Sequence, residues 1–288
     1  EATGDASWKL LGSTSGTALH YDWSISSTET LSTTARIKVT DATKPSYETL
    51  VNDISDGLFT IKGRIFGVTT DAGPAYVYTG TSTITVHWDY YGAIQTVEIM
   101  YAADGLNFTT KLGEATATDK QATVTIPDSM SSIGKIRVQD KANPSSVGAA
   151  LAAPITIKGS ITVNEITTNT FWVVGSKYDI KWTPKGSYTN DVKLELVIGG
   201  VARTPVIATA APGLSGAQQT FLQWTVPDDI SDQAKIRIST QEGDASIDVV
   251  AEALFKIRGD ISAVTAPTTD TVWNVGDKTK SIVWTKVG

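Results

Sequence analysis

The segment from Leu222 to Ser239, LQWTVPDDISDQAKIRIS, is written twice more in the chain: YDWSISSTETLSTTARIKVT at Tyr21 to Thr40 and ATVTIPDSMSSIGKIRV at Ala122 to Val138. A second phrase recurs in step with it, as GLFTIKGRIFGV (Gly57 to Val68), APITIKGSITV (Ala153 to Val163) and ALFKIRGDISAV (Ala253 to Val264). A third follows each of these: ITVHWDYYG (Ile84 to Gly92), YDIKWTPKG (Tyr178 to Gly186) and KSIVWTKVG (Lys280 to Gly288). FWVVGSK and VWNVGDK precede the last two of these, whereas AYVYTGTST stands ahead of the first. The period is about 95 to 100 residues, the size of one small sandwich domain and too long for a solenoid unit.

Within one period the apolar residues alternate with polar ones in about seven short runs, separated by Gly, Pro, Asp and Ser. In the copy beginning near Gly159 the runs are SITVNEI, KYDIKWT, DVKLELVIG, RTPVIAT, FLQWTV, AKIRIST and ALFKIRG. Period-two alternation gives each strand one face for a core and one for water. Thr, Ser, Val and Ile dominate the composition, and no long stretch has apolar residues at helical spacing. The expectation is an all-β chain of two packed antiparallel sheets per repeat.

The opening phrase reads as two strands and the corner between them. Leu222, Trp224 and Val226 are expected on one face, and Pro227 ends the ladder because it has no N–H to give. Asp228, Asp229 and Ser231 form the turn, and Ile236 and Ile238 return to the core while Lys235, Arg237 and Ser239 face water.

Placing boundaries at the Gly of each IKG or IRG divides the chain into 1–63, 64–159, 160–259 and 260–288. The two middle units are complete Ig-sized domains. Residues 1–63 are the C-terminal part of such a domain and residues 260–288 the N-terminal part of another. Even together, the two ends lack a counterpart of NDVKLELVI, so the chain reads as an excerpt of a longer tandem array. One Gly joins the last strand of each unit to the first strand of the next, with no Pro- or Ser-rich tether, which predicts a stiff, elongated row. A two-strand piece such as 260–288 is expected to be marginal alone.

The chain has 288 residues, 41% hydrophobic and 19% charged, with a net charge of -6, which is too hydrophobic for a disordered polymer. Its 24 Lys and Arg form no basic cluster, which argues against nucleic acid and anionic membrane as partners. Cysteine is absent, so disulfides and thiolate metal sites are excluded. No apolar run is long enough to span a bilayer as a helix, and the opening EATGDASWKL has neither a Met nor a signal-peptide pattern.

The two histidines, His20 and His87, fall in different units, with no convergent partners for a triad or a zinc site. No catalytic, cofactor-binding or metal residue is assigned. Trp88, Trp182 and Trp284 share one repeat position, Trp23 and Trp224 a second, and Trp172 and Trp273 a third, as core residues do; Trp8 is left open. Tyr90 and Tyr91 are the expected exposed aromatic pair. The carboxylate pairs Asp228/Asp229 and Asp53/Asp56 read as turn formers, because no stretch has the D-x-D-x-[DN]-G calcium loop. Asn107, in NFT, fits a weak N-glycosylation pattern, and the Thr runs STTAR, TTDAG, TGTSTIT and APTTDT suit O-glycans on an exported chain.

The cycle FWVVGSKYDIKWTPKG…VKLEL…LQWTVPDDISDQAKIRIS…LFKIRG resembles the tandem Ig-like repeats of large bacterial cell-surface proteins, surface-layer (S-layer) proteins among them. It is also similar to Ig-like modules of fungal cell-wall proteins, which share the G…I.W…G and W.VP phrases. The middle unit, with TVTIPDSM in place of W.VP, departs most. The fold class expected is all-β: tandem Ig-like/fibronectin-III-like antiparallel β-sandwich domains in an elongated row. The resemblance implies an extracellular, cell-surface place, attached glycans, and calcium at domain junctions as the only cation in view. The function expected is structural and not enzymatic: part of an S-layer coat that self-associates in a surface lattice. The alternatives are an adhesin or fibre stalk, and an accessory Ig-like array of a secreted polysaccharide-acting enzyme.

Overall fold

In the computed structural model the described residues are 8–43, 50–71, 75–77 and 82–288. The opening EATGDAS, part of the Thr runs TTDAG and TGTSTIT, and part of AYVYTGTST lie outside them.

The alternating runs become strands. The first part of the chain holds β1 (Ser32–Ala35), β2 (Lys38–Thr40), β3 (Asn52–Ile54) and β4 (Phe59–Ile61), paired as β1–β4 and β2–β3. Next come β5 (Arg64–Thr70), β6 (Ala75–Val77), β7 (Thr83–Tyr91), β8 (Thr96–Ala102), β9 (Thr110–Thr116), β10 (Gln121–Thr125), β11 (Ser131–Asp140), β12 (Gly148–Ala150) and β13 (Ile155–Lys158). The following repeat holds β14 (Ser160–Asn164), β15 (Phe171–Val173), β16 (Lys177–Lys185), β17 (Val192–Ile198), β18 (Val201–Ala202), β19 (Ala208–Ala210), β20 (Gln219–Thr225), β21 (Ser231–Ser239) and β22 (Val250–Arg258). A hairpin, β23 (Asp260–Ala266) with β24 (Val283–Val287), closes the chain.

The two middle repeats build the same sandwich. One sheet is β10–β7–β5 in the first and β14–β16–β20 in the second. The facing sheet is β6–β13–β11–β8–β9 in the first and β15–β22–β21–β17–β18 in the second. The chain changes sheet between β7 and β8, returns at β10, and crosses again to β11, the Greek-key wiring of an Ig-like sandwich. One feature departs from a purely antiparallel pattern. β6 lies parallel to β13, and β15 parallel to β22, so each of these sheets, six-stranded once β12 beside β11 and β19 beside β17 are included, has a parallel edge strand.

Each sandwich has its own core. Trp88 is 2% exposed and Trp182 1% exposed, and each indole donates across its core, to the carbonyls of Ala117 at 3.2 Å and Pro212 at 3.1 Å. A buried indole N–H without an acceptor would be costly, so these bonds fix the loop that leads into β10 or β20. In the second sandwich Trp172 stacks on Tyr178 at 4.9 Å and meets Trp224 and Phe255.

The recurring corner is a bulge. Ser32, Ser131 and Ser231 each accept a hydrogen bond at Oγ from the backbone N–H two residues on (3.1, 3.0 and 3.0 Å), and each marks a register shift. The shift returns Ile136 and Ile236 to the core, where Ile238 is also fully buried. Lys235 and Arg237 face outward, paired with Glu252.

Three expectations are corrected. Leu222 is 64% exposed, because a second bulge at Gln223 (φ +60°), held by Asp179, breaks the alternation; Phe221 turns inward in its place, while Trp224 packs on the core as expected. Trp284 and Trp273 are 53% and 41% exposed, since β23 and β24 pair only with each other and nothing in residues 260–288 covers their face. Tyr90 is not an exposed partner of Tyr91: it packs against the first core, while Tyr91 leans on Phe66 at 4.8 Å.

Candidate functional site: glycine sockets between sandwiches

Strands β5, β14 and β23 each begin one residue after a glycine, at Gly63, Gly159 and Gly259, and strands β7, β16 and β24 are each followed by a glycine, at Gly92, Gly186 and Gly288. The registers Arg64↔Tyr91, Ser160↔Lys185 and Asp260↔Val287 place these glycines opposite each other, just beyond the ladder. A Cβ on Gly92 would lie 3.1 Å from Gly63 Cα, one on Gly186 2.9 Å from Gly159 Cα, and one on Gly288 2.9 Å from Gly259 Cα. The positive φ of Gly92, Gly186 and Gly288 (+86°, +112° and +96°) is a second reason for glycine there.

One side chain of the preceding repeat reaches each socket. Leu31 Cδ2 lies 2.7 Å from the Cβ position of Gly92, Met130 Sδ 2.7 Å from that of Gly186, and Ile230 Cδ1 3.0 Å from that of Gly288. These three residues occupy the same place in the recurring corner, one before the serine that makes the bulge. On the other side of the first two sockets sits a residue two after the second glycine: Ile94 against Gly63 and the Tyr188 hydroxyl against Gly159. Because the tight neighbours include backbone, the socket accepts an apolar tip and no further carbon.

Polar groups clamp the same places. Gly92 N–H donates to Ser27 O, and both Ser187 N–H (3.1 Å) and Ser187 Oγ (2.6 Å) donate to Asp128 O. Glu242 binds back to Thr189 and Asn190, which steadies the loop that carries Ser187. Asp244 reaches Ser132 of the preceding sandwich; that hydroxyl first, then Ser246 and the charge of Lys158, hold its carboxyl below the ordinary range. In the first socket Glu29, buried in the chain preceding Gly63, is paired with Lys9 at 2.7 Å, and that bond holds its carboxyl low.

Asp128 has the opposite balance. Burial pushes its carboxyl above the ordinary 3.8, against hydrogen bonds from Ser187 and Ser215, and Oδ1 finds no partner among the described residues. A raised carboxyl means that the docked state holds its proton more tightly than the undocked one, so stability falls as pH rises through the raised value. Asp128→Asn should therefore raise the thermal midpoint at neutral pH and lose that advantage as pH falls through the raised value, where the wild-type carboxyl takes up its proton. Melting curves of both chains from pH 7 to 3.5 check this; an advantage that persists at the acid end contradicts it.

Elsewhere the described residues gather no chemistry. No three His, Asp or Glu side chains converge as a metal would require, among the described residues. A groove of about 440 Å³ runs along the first socket past Ile25, Glu29, Leu31 and Tyr91, and one of about 450 Å³ opens between β14 and β22. His20 is exposed and His87 half-buried on β7. Asp53, Asp56 and Asp228 are exposed, and Asp229 meets Arg203 at 3.5 Å. Asn107 is exposed on the turn between β8 and β9, its amide bonded to Asp104. Trp8 is exposed and lies under the ammonium of Lys38 at 5.8 Å. Among the described residues no helix is long and apolar enough to cross a membrane.

No protein-family model and no curated protein sequence matches this chain. Solved structures of tandem β-sandwich proteins are similar to it at low identity. The fibronectin(III)-like modules of Clostridium thermocellum CbhA are 12% identical, with 66% of this chain and 95% of that one covered and a TM-score of 0.22. A chimeric titin Z1Z2-Z1Z2 tandem is 11% identical over 67% of this chain and 100% of that one (TM-score 0.24). The four N-terminal Ig domains of Dscam1 isoform 6.9 are 10% identical over 74% and 52% (TM-score 0.30). At these scores the fold rests on the strand order itself.

Proposed function

We propose that this chain is a structural component of a cell-surface coat, a surface-layer type array of Ig-like domains with limits at 63/64, 159/160 and 259/260. The observation that carries the reading is the socket, built three times from the same positions: a glycine pair, a positive φ, and an apolar tip from the preceding repeat. A joint reproduced at each repeat favours transmission of position and force along a row over independent motion of its members. The work of these 288 residues is then packing, and catalysis lies outside them. Neighbouring rows associate laterally outside the cell, with glycans attached at exposed sites such as Asn107.

Electron microscopy of the native full-length protein tests this, first with calcium and then with chelator. Ordered two-dimensional sheets are expected, and their loss on chelation would place calcium at the contacts between molecules. Separate, unassociated rods under both conditions would overturn the coat and favour a stalk that projects a binding tip.

A further inference from the structure

The residues that fill the three sockets differ in one chemical respect. Leu31 and Ile230 fill theirs with hydrocarbon, whereas Met130 presents a thioether. The chain has no cysteine and only two methionines, so sulfur chemistry is confined to Met100 and Met130. Met100, also half-buried, lies on β8, the strand between β11 and β9, and away from any socket. Met130 is half-buried: solvent reaches the side chain, yet it packs against the core of the following sandwich.

We propose that Met130 is an oxidation site, and that its conversion to the sulfoxide releases the joint between the two complete sandwiches. The oxidant is a peroxide. With hydrogen peroxide, the sulfur attacks one oxygen, the O–O bond breaks as an S–O bond forms, and the proton on the attacked oxygen passes to the departing hydroxide, which leaves as water; sulfur gives up two electrons and the peroxide gains them. The geometry makes the product incompatible with the docked state. Sδ is the atom facing Gly186, 2.7 Å from where a Cβ would stand, and Gly159 Cα lies 2.9 Å from the same point. An added oxygen on that side has no room, and rotated outward it draws the tip from the socket. The sulfoxide is also polar, so its burial among apolar groups carries a cost that the thioether lacks. The inference depends on the socket alone and stands whether or not the chain forms a coat.

The test uses the whole chain, treated with dilute hydrogen peroxide, with peptide mass mapping to find the added oxygen. Backbone ¹⁵N relaxation then reads whether residues of the two sandwiches share one rotational correlation time. Oxygen on Met130 with loss of the shared correlation time is expected, while Met130→Leu keeps it before and after peroxide. Oxidised Met130 with unchanged tumbling overturns the proposal. So does a Met130 that takes up oxygen only after unfolding, or a Met130→Leu chain that loosens with peroxide as wild type does.

Discussion

Gly186→Ala should cost about 2–4 kcal/mol and loosen the second sandwich from the first, where the same change at Gly199 costs only about 1–2 kcal/mol. Both glycines have positive φ, +112° and +60°, so both replacements carry backbone strain. At Gly199 an added methyl meets nothing within 4 Å. At Gly186 it meets Met130 Sδ at 2.7 Å and Gly159 Cα at 2.9 Å. The sulfur ends a flexible side chain and can retreat. The Cα belongs to the residue just before β14 and cannot move without dragging the β14–β16 ladder, so the clash is relieved by opening the socket. Melting curves for the two variants measure the difference in stability, and ¹⁵N relaxation reads the coupling. Equal costs for the two, with tumbling unchanged, would show that the socket is not a tight contact.

Trp182→Ala should destabilise the second sandwich by about 3–5 kcal/mol, the range for removing a large aromatic from a packed core. The residue is 1% exposed, and its N–H is the donor that holds Pro212 O. Trp182→Phe restores most of the ring and none of the bond, and should therefore recover part of the loss while leaving that carbonyl unpaired. Urea unfolding followed at backbone amides of both sandwiches checks that the transition of β14–β22 moves and that of β5–β13 moves far less. A uniform shift of both would instead mean that the sandwiches unfold as one cooperative unit.

Much of this architecture is legible in the sequence. The repeat marked the strands, and alternation assigned Ile236, Ile238, Trp88 and Trp182 to cores. Alternation failed at Leu222, where one residue with positive φ at Gln223 shifts the phase of the strand. It also failed at Trp273 and Trp284, whose position in the repeat is that of a core residue but whose face meets no second sheet. Repeat position tells which way a side chain points; it does not supply the atoms that cover it.

The socket shows the same limit. Its parts were all in view: the paired glycines, and an apolar residue in a turn otherwise polar. An apolar residue amid turn formers, recurring as Leu31, Met130 and Ile230, was the available signal. Its partner is 56 to 61 residues further on, at Gly92, Gly186 and Gly288, and no local rule of period or propensity links positions at that separation. The parallel pairing of β15 with β22 was hidden for a similar reason, since FWV is too short to reveal its neighbour.

What the sequence by itself determined is therefore the set of strands, their inward faces and the spacing of the repeat, because these follow from alternation and turn chemistry within a few residues. The tertiary structure alone decided which glycine faces which, what fills the gap between them, and how Asp128 titrates. Those depend on distances between segments remote in the chain, where a single carbon or an unpaired oxygen is decided by packing and burial.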